Sequence, residues 1–146
     1  MAEETLRIAG AALNQTPLHW ENNLDNIRTA IQKARSTNAR LLVLPELCIT
    51  GYGCEDVFLS NWLAEKAMDK LIELLPLTDS ITVCVGLPVK VQADIYNGVA
   101  VLHRGRVLGI TLKQNLARDG VHYEPRWFRA WKPGEVHSLR VKGLEF

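Results

Sequence analysis

An apolar run that stops at a proline and hands over to a carboxylate constrains this chain more than any other stretch. Residues 41–58 read Leu-Leu-Val-Leu-Pro-Glu-Leu-Cys-Ile-Thr-Gly-Tyr-Gly-Cys-Glu-Asp-Val-Phe. Leu41 to Leu44 form the unbroken aliphatic run expected of a strand buried on both faces, and such strands belong to sheets covered by helices. Pro45 has no N–H to give a ladder, so regular pairing is expected to end there and leave Glu46 at the strand's carboxyl end. In open α/β sheets, ligands bind in the crevice outside such strand ends. Position alone leaves two readings of Glu46 open, a site residue or an ordinary surface acid.

The surrounding pattern alternates strands and helices. Leu6, Ile8, Gly10 and Ala12 share one face of a first strand within residues 5–14, before a polar Asn-Gln-Thr-Pro turn. From about Trp20 to Ala39, Trp20, Leu24, Ile27, Ile31 and Ala34 recur at three- and four-residue steps, the mark of an amphipathic helix. A second helix is expected from about Asn61 to Leu75, with Trp62, Leu63, Met68, Leu71, Ile72 and Leu75 inward and Pro76 as its stop. Ile81 to Val85 reads as a short strand ended by Gly86-Leu87-Pro88. Residues 95–103 and 106–112 form a hairpin about Gly105, with Lys113 at the end of its second arm. Residues 114–136 lack periodicity and read as a long irregular loop, and His137 to Val141 as a strand just beginning.

Composition narrows the function classes. The 146 residues have the size of one domain, 1–146, without an internal linker. A formal charge of +1 with both signs interspersed offers no footprint for nucleic acid or an anionic membrane. Acids at Glu3 and Glu4, with no apolar leader and no run long enough to span a bilayer, make the cytoplasm the expected location. Cys48, Cys54 and Cys84 show no paired spacing, so they are expected to be reduced thiols. His19, His103, His122 and His137 lack ligand spacing, and no metal site is expected.

Three ordered features resemble the nitrilase, or carbon–nitrogen hydrolase, superfamily. They are Leu44-Pro45-Glu46-Leu47 with Gly51-Tyr52; Tyr96-Asn97 with Gly105; and Lys113 ahead of Gly120, Tyr123-Glu124, Phe128 and Pro133-Gly134. Within it, residues 51–58 and 123–128 are most similar to the amino-terminal glutaminase domains of glutamine-dependent NAD synthetases. The resemblance implies an α/β fold, a four-layer α-β-β-α sandwich, and a Glu-Lys-Cys triad. Glu46 matches the general base and Lys113 the lysine; Glu124 matches an auxiliary glutamate, and Tyr52, Tyr123 and Phe128 are expected to shape the pocket. Chemistry gives each a reason. A thiol with an ordinary pKa near 8.5 is mostly protonated at neutral pH and needs a base. An ammonium stabilises the oxyanion that forms when an amide carbonyl is attacked.

The family's nucleophilic cysteine follows the lysine, and no cysteine follows Lys113 here. Cys48 and Cys84 read as small buried fillers, and Cys54, in a loop, as the most exposed of the three; none is assigned as nucleophile. The sequence is expected to be the amino-terminal part of a longer enzyme, because its last strand looks unfinished and half a sandwich leaves a sheet face bare. A naturally shortened homologue that has lost hydrolysis is the other explanation. Asp56 is read as the start of the second helix, and Trp127, Phe128 and Trp131 as a pocket wall or subunit contact.

The resemblance thus implies glutamine as small-molecule substrate, and ammonia passed to a synthetase domain that uses ATP and Mg²⁺ to amidate deamido-NAD. No cofactor is expected in this domain, since no Gly-rich phosphate loop appears, and a homo-oligomer is expected. The alternatives are a stand-alone amidase or carbamoylase of the superfamily and a non-catalytic half-nitrilase interaction module.

Overall fold

The computed structural model describes residues 5–120, 123–141 and 143–145. Glu3, Glu4 and His122, singled out above, lie outside the described residues. Five strands form one sheet in chain order: β1 (Ile8–Gly10), β2 (Leu41–Val43), β3 (Thr82–Val91), β4 (Asp94–His103) and β5 (Arg106–Leu112). The first three are parallel and the last two pairings antiparallel. Parallel neighbours need crossovers, and these are α1 (Trp20–Ser36) and α2 (Asn61–Ile72). A short hairpin, β6 (Arg140–Val141) with β7 (Leu144–Glu145), follows.

Both helices lie on one face of the sheet. Leu24, Ile27, Ile31 and Ala34 of α1 and Ala67, Met68 and Leu71 of α2 share a core with Leu42, Val83, Val85, Leu87, Val89, Ala100 and Leu102. Lys70 donates to Glu21 at 2.7 Å and to Glu73 at 2.9 Å, and Arg28 reaches Glu73 at 3.1 Å, tying the two helices side by side. Trp62 was expected inward, yet it is half exposed, stacked edge-on against Trp20 at the mouth of the helix pair.

Two further expectations change. The run at Leu41 to Leu44 is not buried on both faces: Leu42 is 1% exposed and Val43 45%. Leu6 and Ile8, which share one face of the first strand, are also exposed. Ile8 pairs with Leu41 and Val43 with Cys84, so these side chains project from the face opposite the helices. Gly86-Leu87-Pro88 does not end β3, which runs on to Val91. Beyond Cys84, β3 pairs only with β4 among the described residues. The missing N–H of Pro88 therefore costs no ladder bond on the β2 side.

The hairpin between β4 and β5 turns at Arg104 and Gly105, both with positive φ (49° and 70°). That is the geometry a tight hairpin turn demands.

Candidate active site

Glu46 is held by a glycine on the neighbouring strand. Leu44 N donates to Cys84 O at 3.0 Å, and after Pro45 the chain crosses β3 so closely that Ile49 N donates to Gly86 O at 3.3 Å. A Cβ on Gly86 would lie 2.5 Å from both Pro45 O and Leu47 N, which leaves room for glycine alone. From the other side, buried Asn23 of α1 donates to Thr16 O and Ile49 O, and Gln15 donates to Cys48 O at 2.7 Å. The carboxylate therefore stands on a loop fixed at both ends.

Lys113 follows β5 directly, with its N–H donating to Asn97 O of β4 at 2.8 Å. Glu124 opens a short 3₁₀ turn, Glu124–Arg126, and its side chain is fully buried. Its Oε2 accepts from Ala117 N at 2.6 Å, and its own N–H donates back to Ala117 O at 3.0 Å, so Glu124 and Ala117 are tied by both main chain and side chain.

These segments bring the three residues together. Lys113 Nζ donates to Glu46 Oε1 at 2.7 Å and lies 3.0 and 2.9 Å from the two oxygens of Glu124. Asn97 Nδ2 donates to Glu46 Oε1 at 2.5 Å and to Glu124 Oε1 at 2.9 Å. Glu46 is 40% and Lys113 32% exposed, so the cluster opens to solvent on the Glu46 side and is sealed at Glu124.

Burial alone pulls the Lys113 ammonium down, but the hydrogen bonds it donates to both carboxylates outweigh it and hold Lys113 above its ordinary value. Burial likewise pushes Glu124 up, and the donors Lys113, Ala117 N–H and Asn97 outweigh it, leaving Glu124 below the usual carboxylate range. The phenol of Tyr52 is raised, first by burial and then by the negative charges of Glu124 and Glu46, so Tyr52 lies within reach of the same field. Tyr123 is half exposed. Phe128 is 3% exposed and packs on Phe58 at 4.9 Å, supporting the 123–128 turn from the core instead of lining an open pocket. Trp131 stacks between Tyr96 and His137, away from that pair.

The cysteines take other places. Cys48 is buried, its thiol pushed up to about 12 by burial, and it donates to Gly86 O at 3.6 Å, not to Glu46. Cys54, expected to be the most exposed, is 3% exposed and donates to Thr50 O and Gly51 O. Cys84, expected as a buried filler, is the partly exposed one, since it points to the face opposite the helices. Asp56 does not start α2, which begins at Asn61 after Ser60. It sits in a 3₁₀ turn and accepts from Arg126 through both oxygens at 2.8 Å and from Trp127 Nε1 at 3.0 Å. Among the described residues, no cluster of three His, Cys, Asp or Glu side chains is arranged to hold a metal. No described helix is long and apolar enough to cross a membrane.

Asn97 enters the sequence reading only as part of the Tyr96-Asn97 feature, Gly86 only as a strand end and Gln15 only as a turn residue; none of them, nor Asn23, is singled out there for the site. A polar Asn at an inward position of the apolar strand 95–102 is the signal that would have found the first.

The strand-end Glu46 is thus paired to a lysine that a second, buried glutamate also holds. The chain belongs to the carbon–nitrogen hydrolase family, whose pattern matches residues 7–142. Among particular relatives, the glutamine-dependent NAD(+) synthetase of Arabidopsis thaliana is 40% identical over 132 residues, covering 89% of this chain and 18% of that protein. The solved glutamine-dependent NAD(+) synthetase of Cytophaga hutchinsonii is 47% identical with a TM-score of 0.94, covering 98% of this chain and 25% of that one. An amidase of the nitrilase superfamily from Nesterenkonia, 24% identical with a TM-score of 0.73, shares the fold. The chain thus spans about a fifth of the curated relatives' length and a quarter of the solved synthetase.

Proposed function

We propose that Glu46, Lys113 and Glu124 belong to a site that hydrolyses the side-chain amide of glutamine, within the glutaminase part of a glutamine-dependent NAD synthetase. The observation that carries this reading is Lys113 Nζ held between Glu46 Oε1 and the buried Glu124. Glu46, partly exposed, takes the proton of a cysteine thiol supplied from outside residues 1–146. The thiolate attacks the amide carbon, and Lys113 faces the oxygen on which charge collects. When the C–N bond breaks, Glu46 returns its proton to the leaving nitrogen and ammonia departs, and water then cleaves the thioester. Glu124 keeps Lys113 charged and in place, with Tyr52 and Tyr123 at the mouth.

In this reading residues 1–146 are the amino-terminal portion of the glutaminase domain, which uses no cofactor. The ammonia serves a synthetase domain that amidates deamido-NAD with ATP and Mg²⁺, in a cytoplasmic homo-oligomer. Residues 1–146 alone release no ammonia, because Cys48, with its thiol near 12, is a negligible source of thiolate at neutral pH.

The test grafts residues 1–146 in place of the matching quarter of the Cytophaga enzyme. Glutamine-dependent NAD formation is expected, and Glu46→Gln in the graft should lower it by about 10²–10⁴-fold while synthesis from free ammonia continues. Unchanged glutamine use with Glu46→Gln would sink the assignment.

A further inference from the structure

Asn97 enters the cluster without a charge, and the hydrolytic reading gives it no task. It is 3% exposed on β4, and its single amide nitrogen serves two carboxylates, at 2.5 Å to Glu46 and 2.9 Å to Glu124. Ionised carboxylates only accept hydrogen bonds, so the nitrogen of the carboxamide must face them and its two hydrogens are shared one to each. Through its main chain the same residue accepts the Lys113 N–H. One strand position thereby fixes the stem of the lysine and both acids that the lysine serves.

The charges explain why a neutral donor belongs there. Glu46 comes from the loop after β2, Glu124 from the 3₁₀ turn, Lys113 from the end of β5 and Tyr52 from the loop beyond Glu46; these are the titratable groups that face one another. Two carboxylates sharing one ammonium repel, and repulsion of that kind drives a proton onto one of them. A second cation at position 97 would relieve the repulsion but hold Glu46 in a permanent ion pair, leaving it a poor proton acceptor. A carboxamide supplies donors and leaves the charge unchanged. Lys113 and Asn97 moreover both donate to Oε1 of Glu46, which orients the carboxylate about that oxygen.

We propose that Asn97 is a positioning residue: a neutral bridge that keeps Glu46 and Glu124 oriented together on Lys113. The proposal rests on the hydrolytic reading for its purpose, but its test reads the bridge directly. The purified chain, labelled with ¹⁵N and ¹³C, is titrated by NMR. In the unsubstituted protein both Asn97 side-chain amide protons should exchange with solvent far more slowly than those of exposed Asn38, and both should shift as Glu124 titrates. Asn97→Ala should raise the Glu124 midpoint, and Asn97→Asp, of equal size but bringing a third carboxylate, should raise it further. Backbone amide dispersion in β4 checks that each variant is folded. A residue that only fills space would leave the midpoint where it was. Asn97 protons exchanging as fast as those of Asn38, or a Glu124 midpoint unmoved in both folded variants, would overturn the bridge; if neither variant folds, the exchange measurement decides. Loss of the bridge would leave the grafted enzyme's dependence on Glu46 standing, and the reverse outcome is equally readable.

Discussion

The segment after β2 is lashed to the turn at 123–128 twice, once inside the molecule and once at its surface. The inner lashing joins Glu46, Lys113, Glu124 and Asn97, with Glu124 fully buried. The outer one joins Asp56 to Arg126 and Trp127 through three hydrogen bonds, with Asp56 60% and Arg126 58% exposed. Bond counts and lengths hardly separate them. Solvent does: an exposed pair trades water contacts for protein contacts at little net gain, whereas a buried charge that loses its partner has nothing to replace it. The site residue is therefore the more strongly held of the two, and the outer pair is a guide for the turn more than a fastening.

Glu124→Gln should break that contrast most sharply. It keeps the shape of the side chain but leaves Glu46 as the one carboxylate on Lys113 among the described residues, at an expected cost of about 3 kcal/mol, the low end for a buried pair because Lys113 is a third exposed. Glu124 lies below its ordinary range in the folded protein, so its contribution is complete above the unfolded carboxyl's value of roughly 4.3. It fades as pH falls through the lowered folded value, where native Glu124 also takes up a proton. Urea unfolding of the two proteins should accordingly diverge at neutral pH and converge in acid. Lys113, held above its ordinary value, contributes with the opposite sign and is lost only as pH rises through that raised value.

Gly86→Ala comes next and acts on the Glu46 side of the inner lashing. The added Cβ would stand 2.5 Å from two backbone atoms, so the Pro45–Leu47 segment must move away from β3. An overpacking cost of about 1–3 kcal/mol is expected, read as a lowered urea midpoint. Its second effect is specific: displacement of Glu46 should weaken its coupling to Lys113, visible as a change in the Lys113 titration. A stable variant with an unaltered Lys113 curve would show that the glycine matters for packing only.

How far these features were legible in the sequence depends on whether local pattern or distant contact sets them. Glu46 at a strand end and Lys113 closing a hairpin arm follow from strand signals alone, and the family resemblance added Glu124. The helices were readable from their apolar steps, though Trp62 shows that a residue at the end of the stripe can stay half exposed. Local pattern failed wherever a neighbour strand decides. Pro88 reads as a strand terminator until β3 is seen to have, among the described residues, no strand partner on its β2 side beyond Cys84. Val43 reads as buried because an unbroken aliphatic run resembles a doubly covered strand, yet the described helices cover only the other face. Cys54 lies in a loop and is nonetheless buried, since Phe58, Leu63 and Phe128 close over that loop. Asp56 reads as a helix-start acid because its partner, Arg126, lies 70 residues away.

That partner supplies the smallest and most discriminating measurement. Asp56→Asn keeps a side chain of the same size, with one oxygen still able to accept from Trp127 or Arg126, and removes only the charge. Arg126 beside it holds the Asp56 carboxyl below the ordinary range, as a surface ion pair should. Because both groups face water, the loss should be a slight fall in melting temperature at low salt that disappears near about 1 M salt, where the Debye length is only about 3 Å. Glu124→Gln should be nearly indifferent to the same salt, since its charge is shielded by protein and not by ions. If salt erased both effects alike, the inner cluster would be as solvated as the outer, and burial would not be what fixes Glu124 on Lys113. If it erased neither, the outer pair would be a true fastening, with the aromatic contact between Phe58 and Trp127 at 6.1 Å shielding it.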